Sequence, residues 1–342
     1  MAPDDPIGVE EVAACLFCKT EGEQLYGPLQ DRWFGVPGVW GFMRCPRCGF
    51  IWLNPRPLLE ELSKVYISYF THQLKQSRLH VFREKMGGAI CSAVPGYHDL
   101  ACGNGWALLG KILSFLPSVR ELDSLEAMCL NGVQKGNLLD VGCGNGSFLA
   151  RMRDAGWKVL GLEWDPSAAK AAQEWFGVPV IVGTLATAGL PARSIDAIIL
   201  SHVIEHVHDP VGLLSQCSHI LKSDGRLVMV TPNAESLGYR RFGQSWILLD
   251  PPRHLQIFSL ATLRACAESS GLRIRVLRTS TRNAWWVWAV SRLIREQGLF
   301  SDSGMTWRLR LRGLVFQMRE ELLRATSGNA GEELVLVGSP ET

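Results

Sequence analysis

Neither sign of charge dominates this chain: 35 Lys and Arg face 33 Asp and Glu, a formal net charge of +2 over 342 residues. That balance gives no electrostatic argument for a nucleic-acid partner. Long hydrophobic runs are also missing. The most apolar aromatic stretch, Ala284 to Val290, falls far short of the roughly 20 residues a bilayer span needs. The opening Met1-Ala2-Pro3-Asp4-Asp5-Pro6 is acidic and broken by proline, unlike a secretory leader. A cytoplasmic, soluble protein is therefore expected, and its ten cysteines point to thiols and metal ligation rather than disulfides. The length suggests about two domains and permits an ample core.

Four of those cysteines form two identical pairs, Cys15-Leu16-Phe17-Cys18 and Cys45-Pro46-Arg47-Cys48. Each pair can close one side of a tetrahedral thiolate site, and the spacing between them leaves room for a β-hairpin. Gly49 supplies the positive φ that a tight turn around sulfur needs. The expectation is a structural Zn2+ held by Cys15, Cys18, Cys45 and Cys48. The plainer alternative is four reduced cysteines in a small core. Phe50-Ile51-Trp52-Leu53-Asn54-Pro55-Arg56-Pro57 then reads as a strand stopped by prolines, followed by a helix from Leu58 to Tyr69.

The strongest motif is Leu138-Leu139-Asp140-Val141-Gly142-Cys143-Gly144-Asn145-Gly146, an apolar run ending in an acid and three alternate glycines, with a helical pattern starting at Ser147. Glycines so spaced turn the backbone tightly and let a ligand lie against main-chain N–H groups at a helix start. About twenty residues on, Val159-Leu160-Gly161-Leu162 ends in Glu163, placed to hold ribose hydroxyls. A dinucleotide fingerprint wants glycine or alanine three residues after Gly144, where Ser147 stands. Asp140 beside the ligand suits a cationic cofactor better than a pyrophosphate. Leu100 to Gly105 nearly copies the motif but follows loop sequence, so it is read as a coincidence or a loop.

The motif resembles motif I of the class I S-adenosylmethionine-dependent methyltransferases, and residues 15–69 are similar to the zinc-ribbon modules of many bacterial enzymes of that type. The resemblance implies an α/β, Rossmann-like, seven-stranded methyltransferase sheet with helices on both faces, plus a small N-terminal zinc ribbon. It implies S-adenosyl-L-methionine as cofactor, met by Asp140, Gly142, Cys143, Gly144 and Gly146 at its methionine end and by Glu163 and Trp164 at the ribose. Thr184 and Leu185 would border the adenine, and Ser201 and His202 close the fourth strand. Alternating patterns place strands at 137–142, 158–163, 178–182, 195–201 and 226–231, with helices near 147–155, 166–176 and 210–221. Gly271 to Ser280 and Glu332 to Val337 are the remaining strand candidates. The expected division is 1–57 zinc ribbon, 58–136 helical connector and 137–342 methyltransferase domain, with a helical insertion at about 281–331.

Ser201-His202-Val203-Ile204-Glu205-His206 resembles the post-motif of ubiquinone-biosynthesis-type methyltransferases, whose acid-x-x-Glu-His arrangement can hold a divalent cation. His202 replaces the first acid, so structural histidines are expected there instead of a metal. The Asn/Asp-Pro-Pro-aromatic tetrapeptide of amino-group methyltransferases is absent after this strand. A later loop, with Trp246 and Leu249-Asp250-Pro251-Pro252-Arg253-His254, offers His254 as first choice for a general base and His206 as second. In the insertion, Leu311, Leu314, Val315, Met318 and Leu322 share one helical face, read as a packed lid or dimer face. The sharper reading is a surface for a lipid-linked or membrane-adjacent acceptor. The expected function is methyl transfer to oxygen or carbon of a small molecule, sugar or glycan intermediate. The alternatives are an RNA-base methyltransferase docking through its ribbon, and a non-catalytic cofactor-binding scaffold.

Overall fold

The computed structural model describes residues 7–66, 128–301 and 304–341. The near-copy of the glycine motif at 100–105, and most of the expected connector, lie outside these residues. In chain order the strands and helices begin with β1 (Val9–Glu10), β2 (Glu23–Leu29), β3 (Trp40–Arg44), β4 (Ile51–Leu53), β5 (Arg56–Pro57) and α1 (Leu62–Val65). Next come β6 (Asn137–Val141), α2 (Ser147–Asp154), β7 (Lys158–Glu163), α3 (Pro166–Phe176), β8 (Val180–Val182), β9 (Ile195–Ser201), α4 (Pro210–Ile220) and β10 (Leu221–Pro232). The remainder are α5 (Leu237–Phe242), β11 (Gln256–Ile257), α6 (Leu260–Glu268), β12 (Leu272–Ser280), α7 (Ala284–Gln297), α8 (Trp307–Ser327) and β13 (Glu333–Pro340).

Seven strands form one sheet in the order β12-β13-β10-β9-β6-β7-β8, and four short ones form a second sheet, β11-β4-β3-β2. Sequence patterning placed the seven strands correctly apart from their ends. β10 begins five residues before the expected Arg226, because Lys222-Ser223-Asp224-Gly225 reads as a turn and hides the start of the strand. The described residues divide into two compact units. One comprises 128–201, 216–228 and 337–341; the other comprises 7–66, 202–215, 229–301 and 304–336.

In the first unit β6 pairs in parallel with β7 and β9, and β7 with β8. Strands covered on both faces should be continuously apolar, and Leu138, Leu139, Ile198, Ile199 and Leu200 are all fully buried. Asp165 caps α3 by accepting the Ser167 N–H at 2.8 Å, with Pro166 at the first helical position, where its missing N–H costs nothing.

The core of the second unit gathers Trp40, Phe42, Leu53, Trp246, Ile247, Val290 and Phe316 among others. The four-stranded sheet is built largely from the cysteine-rich segment, but its edge strand β11 comes from the loop after β10, pairing Gln256 with Trp52 and Ile257 with Ile51. That pairing ties the 249–259 loop to the ribbon. Ser259 caps α6 by accepting the Thr262 N–H, and Gly271, with φ of 72°, follows its end.

Candidate functional site

The glycine loop of the first unit has the geometry its residue types require. Gly142, Gly144 and Gly146 take φ of 71°, 53° and 78°, a region costly for any side chain. A Cβ on Gly146 would also lie 2.7 Å from that of Ala172, so this glycine lets α2 start tight against α3. The Gly142 N–H donates to the Leu162 carbonyl at 2.8 Å, fastening the loop to β7. Glu163 at the end of β7 accepts the Gly144 N–H at 2.8 Å and the Asp165 N–H at 3.2 Å. Its carboxylate thus orders the loop and still has acceptor capacity for a ligand hydroxyl.

Asp140 is buried, and its carboxyl is pushed up to about 8, first by burial and then by the charge of Glu163. The Cys143 thiol is driven upward by burial foremost, then by the charges of Asp140 and Glu163. It packs where a Cβ on Gly161 would meet its Sγ at 2.6 Å, so Cys143 serves the loop by its backbone and fills space with its side chain. Trp164, just after Glu163, is exposed. After β8, the Thr184 N–H donates to Thr187 Oγ1 at 3.0 Å, closing a turn in which Leu185 is buried. Ser201 is the last residue of β9.

The second unit collects a different set. His202, with φ of 55°, presents Nδ1 to Glu205 at 3.1 Å and Nε2 to Glu333 at 3.2 Å. Burial works against its charge, yet hydrogen bonds and charge from Glu205 and Glu333 raise its pKa to about 9. The ring is therefore an imidazolium with both nitrogens committed. Glu205 is fully buried; burial alone would raise it, but the hydrogen bond from His202 and its charge hold it down to about 2. Its other oxygen accepts the Thr231 hydroxyl at 2.9 Å.

His206 donates from Nδ1 to the Arg253 carbonyl at 2.9 Å, with the Tyr66 hydroxyl 2.8 Å from the same nitrogen. His254 donates from Nδ1 to the Leu248 carbonyl at 2.8 Å. A carbonyl only accepts, so Nδ1 of each ring carries a hydrogen, and in the neutral ring the lone pair is on Nε2. The rings lie edge to face, centroids 4.6 Å apart. Burial, then the charge of His254, depresses His206 to about 4, which keeps it neutral. Glu205, His206 and His254 each offer a ligand atom, all within 4.8 Å of one another. This is a donor set that suits a divalent transition metal, as well as a proton acceptor. The sequence had paired His202 with Glu205 and His206; the structure keeps His202 for two carboxylates and brings in His254.

His254 is held by a clamp the sequence did not reveal. Its neighbour Arg253 is fully buried and donates to Asp31 at 2.7 and 2.9 Å and to Asp250 at 3.0 Å, with Phe34 stacked 4.6 Å from the guanidinium. Asp31 also accepts the N–H groups of Trp33, Phe34 and Val36. The Asp-Pro-Pro-Arg run is thus a structural clamp. Nothing at short range in the sequence links positions 31 and 253.

The cysteine pairs make two matching knuckles. The Cys18 N–H approaches Cys15 Sγ, and the Cys48 N–H approaches Cys45 Sγ, each at 3.5 Å, while Cys15 Sγ and Cys48 Sγ lie 3.6 Å apart. Each knuckle ends in a left-handed residue, Lys19 at φ of 55° and Gly49 at 73°. All four sulfurs fall within the 4.8 Å span of a metal cluster. Four thiols so close, with N–H groups turned on them, fit zinc, which takes a tetrahedron of thiolates.

A family model described as a methyltransferase domain matches residues 118–277. Residues 118–277 are thus similar to a methyltransferase domain. Among curated proteins, one described as a probable S-adenosylmethionine-dependent methyltransferase from Mycolicibacterium smegmatis is 32% identical over 98 residues, 28% of this chain and 38% of that protein. A ubiquinone biosynthesis O-methyltransferase from Alkalilimnicola ehrlichii is 29% identical over 121 residues, 33% of this chain and 48% of that protein. The chain thus spans less than half the length of either relative. Solved structures include a SAM-dependent methyltransferase from Archaeoglobus fulgidus (18% identity, 68% of this chain, 98% of that one, TM-score 0.42) and one from Mesorhizobium loti (18%, 64%, 96%, 0.44). The matched segment of the methyltransferase domain holds Asp140, the three glycines and Glu163, as well as Glu205, His206 and His254. The cysteine knuckles lie outside it.

Proposed function

We propose that this chain is an S-adenosylmethionine-dependent methyltransferase acting on oxygen or carbon of a small molecule, sugar or lipid-linked glycan intermediate. The observation that carries the reading is the loop of Gly142, Gly144 and Gly146, ordered by the Glu163 carboxylate, with Asp140 buried beside them. S-adenosylmethionine supplies a sulfonium-bound methyl group. Asp140 offers a carboxylate to the cationic methionine end, and Glu163 accepts from ribose hydroxyls. The bound cofactor would supply the electrophilic methyl group, and the group proposed to take up a proton from an acceptor hydroxyl is the Nε2 of His254. Among the described residues that atom makes no hydrogen bond, and the Leu248 carbonyl keeps its lone pair available. Alignment of the reacting atoms supplies most of the acceleration, on the order of 7–11 kcal/mol, and a general base about 10²–10⁴-fold.

Calorimetric titration with S-adenosylmethionine and with NAD, on wild type and an Asp140→Ala variant, tests the cofactor. Micromolar binding of the first alone, lost in the variant, supports the reading. No binding would leave the glycine loop as a structural turn and favour a scaffold. His254→Asn should then lower turnover by about 10²–10⁴-fold with cofactor affinity unchanged, measured by release of S-adenosylhomocysteine with a panel of phenolic and sugar acceptors. A strict need for an added divalent cation would instead reassign Glu205, His206 and His254 to metal binding.

A further inference from the structure

The stretch between β12 and β13 holds α7 and α8, and α8 is apolar on two opposite faces. Its packed stripe is Leu309, Gly313, Phe316 and Glu320, all buried. Gly313 permits the close approach to α7, since a Cβ there would lie 2.4 Å from the Trp285 carbonyl oxygen. Glu320 is pushed up to about 11 by burial first and then by the charge of Glu332, so it stays protonated and adds no charge.

At 100° per residue, the opposite side of the same helix carries Trp307, Leu311, Leu314, Val315, Met318 and Leu322. These six are between 48% and 71% exposed. The apolar face that the sequence offered as a lid, a dimer face or a surface for a lipid-linked or membrane-adjacent acceptor is turned outward. A surface helix ordinarily presents polar side chains there. Here the charges flank the apolar row instead: exposed Arg308, Arg312 and Arg319 lie along one edge and exposed Arg310 along the other. Arg308 lies over the Trp307 ring, 5.4 Å from its centroid.

We propose that this outward face of α8 is a docking surface for an anionic lipid bilayer, on which the helix lies flat. Two features favour that occupant. The apolar row, topped by an exposed tryptophan, suits burial at the boundary between headgroups and acyl chains, and guanidinium groups on both flanks reach lipid phosphates. A second copy of the chain fits poorly. In an antiparallel two-fold pairing the Arg308, Arg312 and Arg319 edge meets its own copy, and in a parallel pairing it meets the edge with Arg310. The only acids of the helix are buried Glu320 and half-buried Glu321, so neither pairing neutralises the arginines. The helix does not span: at 21 residues it is about 31 Å long, but no described helix is apolar enough to cross a membrane.

The test is co-sedimentation of the full chain with vesicles of phosphatidylcholine alone and of phosphatidylcholine with one-third phosphatidylglycerol. Binding is expected on the anionic vesicles and should weaken as salt rises. Arg308→Gln with Arg312→Gln and Arg319→Gln should weaken it by on the order of 100-fold, and Met318→Glu with Leu322→Glu should abolish it. Both variants change outward positions and should keep the wild-type melting temperature; the salt dependence of wild type gives a readout that needs no variant. Failure of wild type to sediment with anionic vesicles overturns the proposal. So does a concentration-dependent dimer that dissociates in the Met318→Glu/Leu322→Glu variant, which would give the face to a second copy.

Discussion

Asp140 and Arg253 show two ways a buried charge is managed here. The charge of Arg151 only partly offsets the burial of Asp140 and the charge of Glu163, and its pKa of about 8 makes the carboxyl largely neutral at pH 7. A ligand with a positive methionine end selects the ionised form, so binding at pH 7 should release close to one proton. Affinity should climb about tenfold per pH unit below pH 8. Calorimetry in buffers of different ionisation enthalpy measures that proton, and in Asp140→Asn it should vanish; an unchanged proton count would remove Asp140 from the cofactor contact. Arg253 is the opposite case, ionised and surrounded by Asp31 and Asp250. Arg253→Met leaves two buried carboxylates without a cation and should cost about 3–5 kcal/mol, read from denaturant midpoints. Asp140 was visible in the sequence because an acid ending an apolar run before three glycines is a local pattern. The Asp31–Arg253 clamp was not, because its partners are 222 residues apart and neither sits in a motif.

At the scale of elements, the ribbon and the 249–259 loop form one piece of structure. β11 pairs with β4, the Leu53 N–H donates to the Leu255 carbonyl at 2.9 Å, and the Gln256 amide reaches the carbonyls of Ile204 and Val207 at 2.7 and 2.8 Å. We expect metal held by the knuckles to stiffen β3 and β4 and, through β11, the loop that presents His254. Cys45→Ser should therefore lose metal and lower turnover through His254 while leaving S-adenosylmethionine affinity within a few-fold of wild type, as checked by metal analysis and calorimetry together. Equal loss of both would show that the cysteines support the whole fold. The strands of the seven-stranded sheet were legible because parallel strands are continuously apolar and end at turn residues. β11 was not, since two residues in a proline-broken loop carry no periodicity. The outward stripe of α8 was legible only as a stripe: its 3.6-residue spacing reports an apolar face without saying what covers it.

For the molecule as a whole, the two kinds of ligand expected from the sequence belong to different units. The knuckles, β11 and the histidine pair fall in the unit containing 7–66 and 229–301; Asp140, the glycine loop and Glu163 fall in the unit containing 128–201. Ligands that bind only the native state raise its stability by mass action, by about 2.7 kcal/mol at a hundred times the dissociation constant. Protection against hydrogen exchange spreads through the cooperative unit that binds. Amide exchange should therefore respond in two separable patterns. Saturating S-adenosylmethionine should slow exchange across 138–147 and 158–165, where the loop and the Glu163 carboxylate close on it. Chelation of the metal proposed for the cysteines should speed exchange across 40–53 and 249–259, because β3, β4 and β11 share one ladder of hydrogen bonds. A response of 40–53 to chelator without one of 249–259 would detach the loop from the ribbon, and a response of 138–147 to chelator would mean that metal loss unfolds both units together.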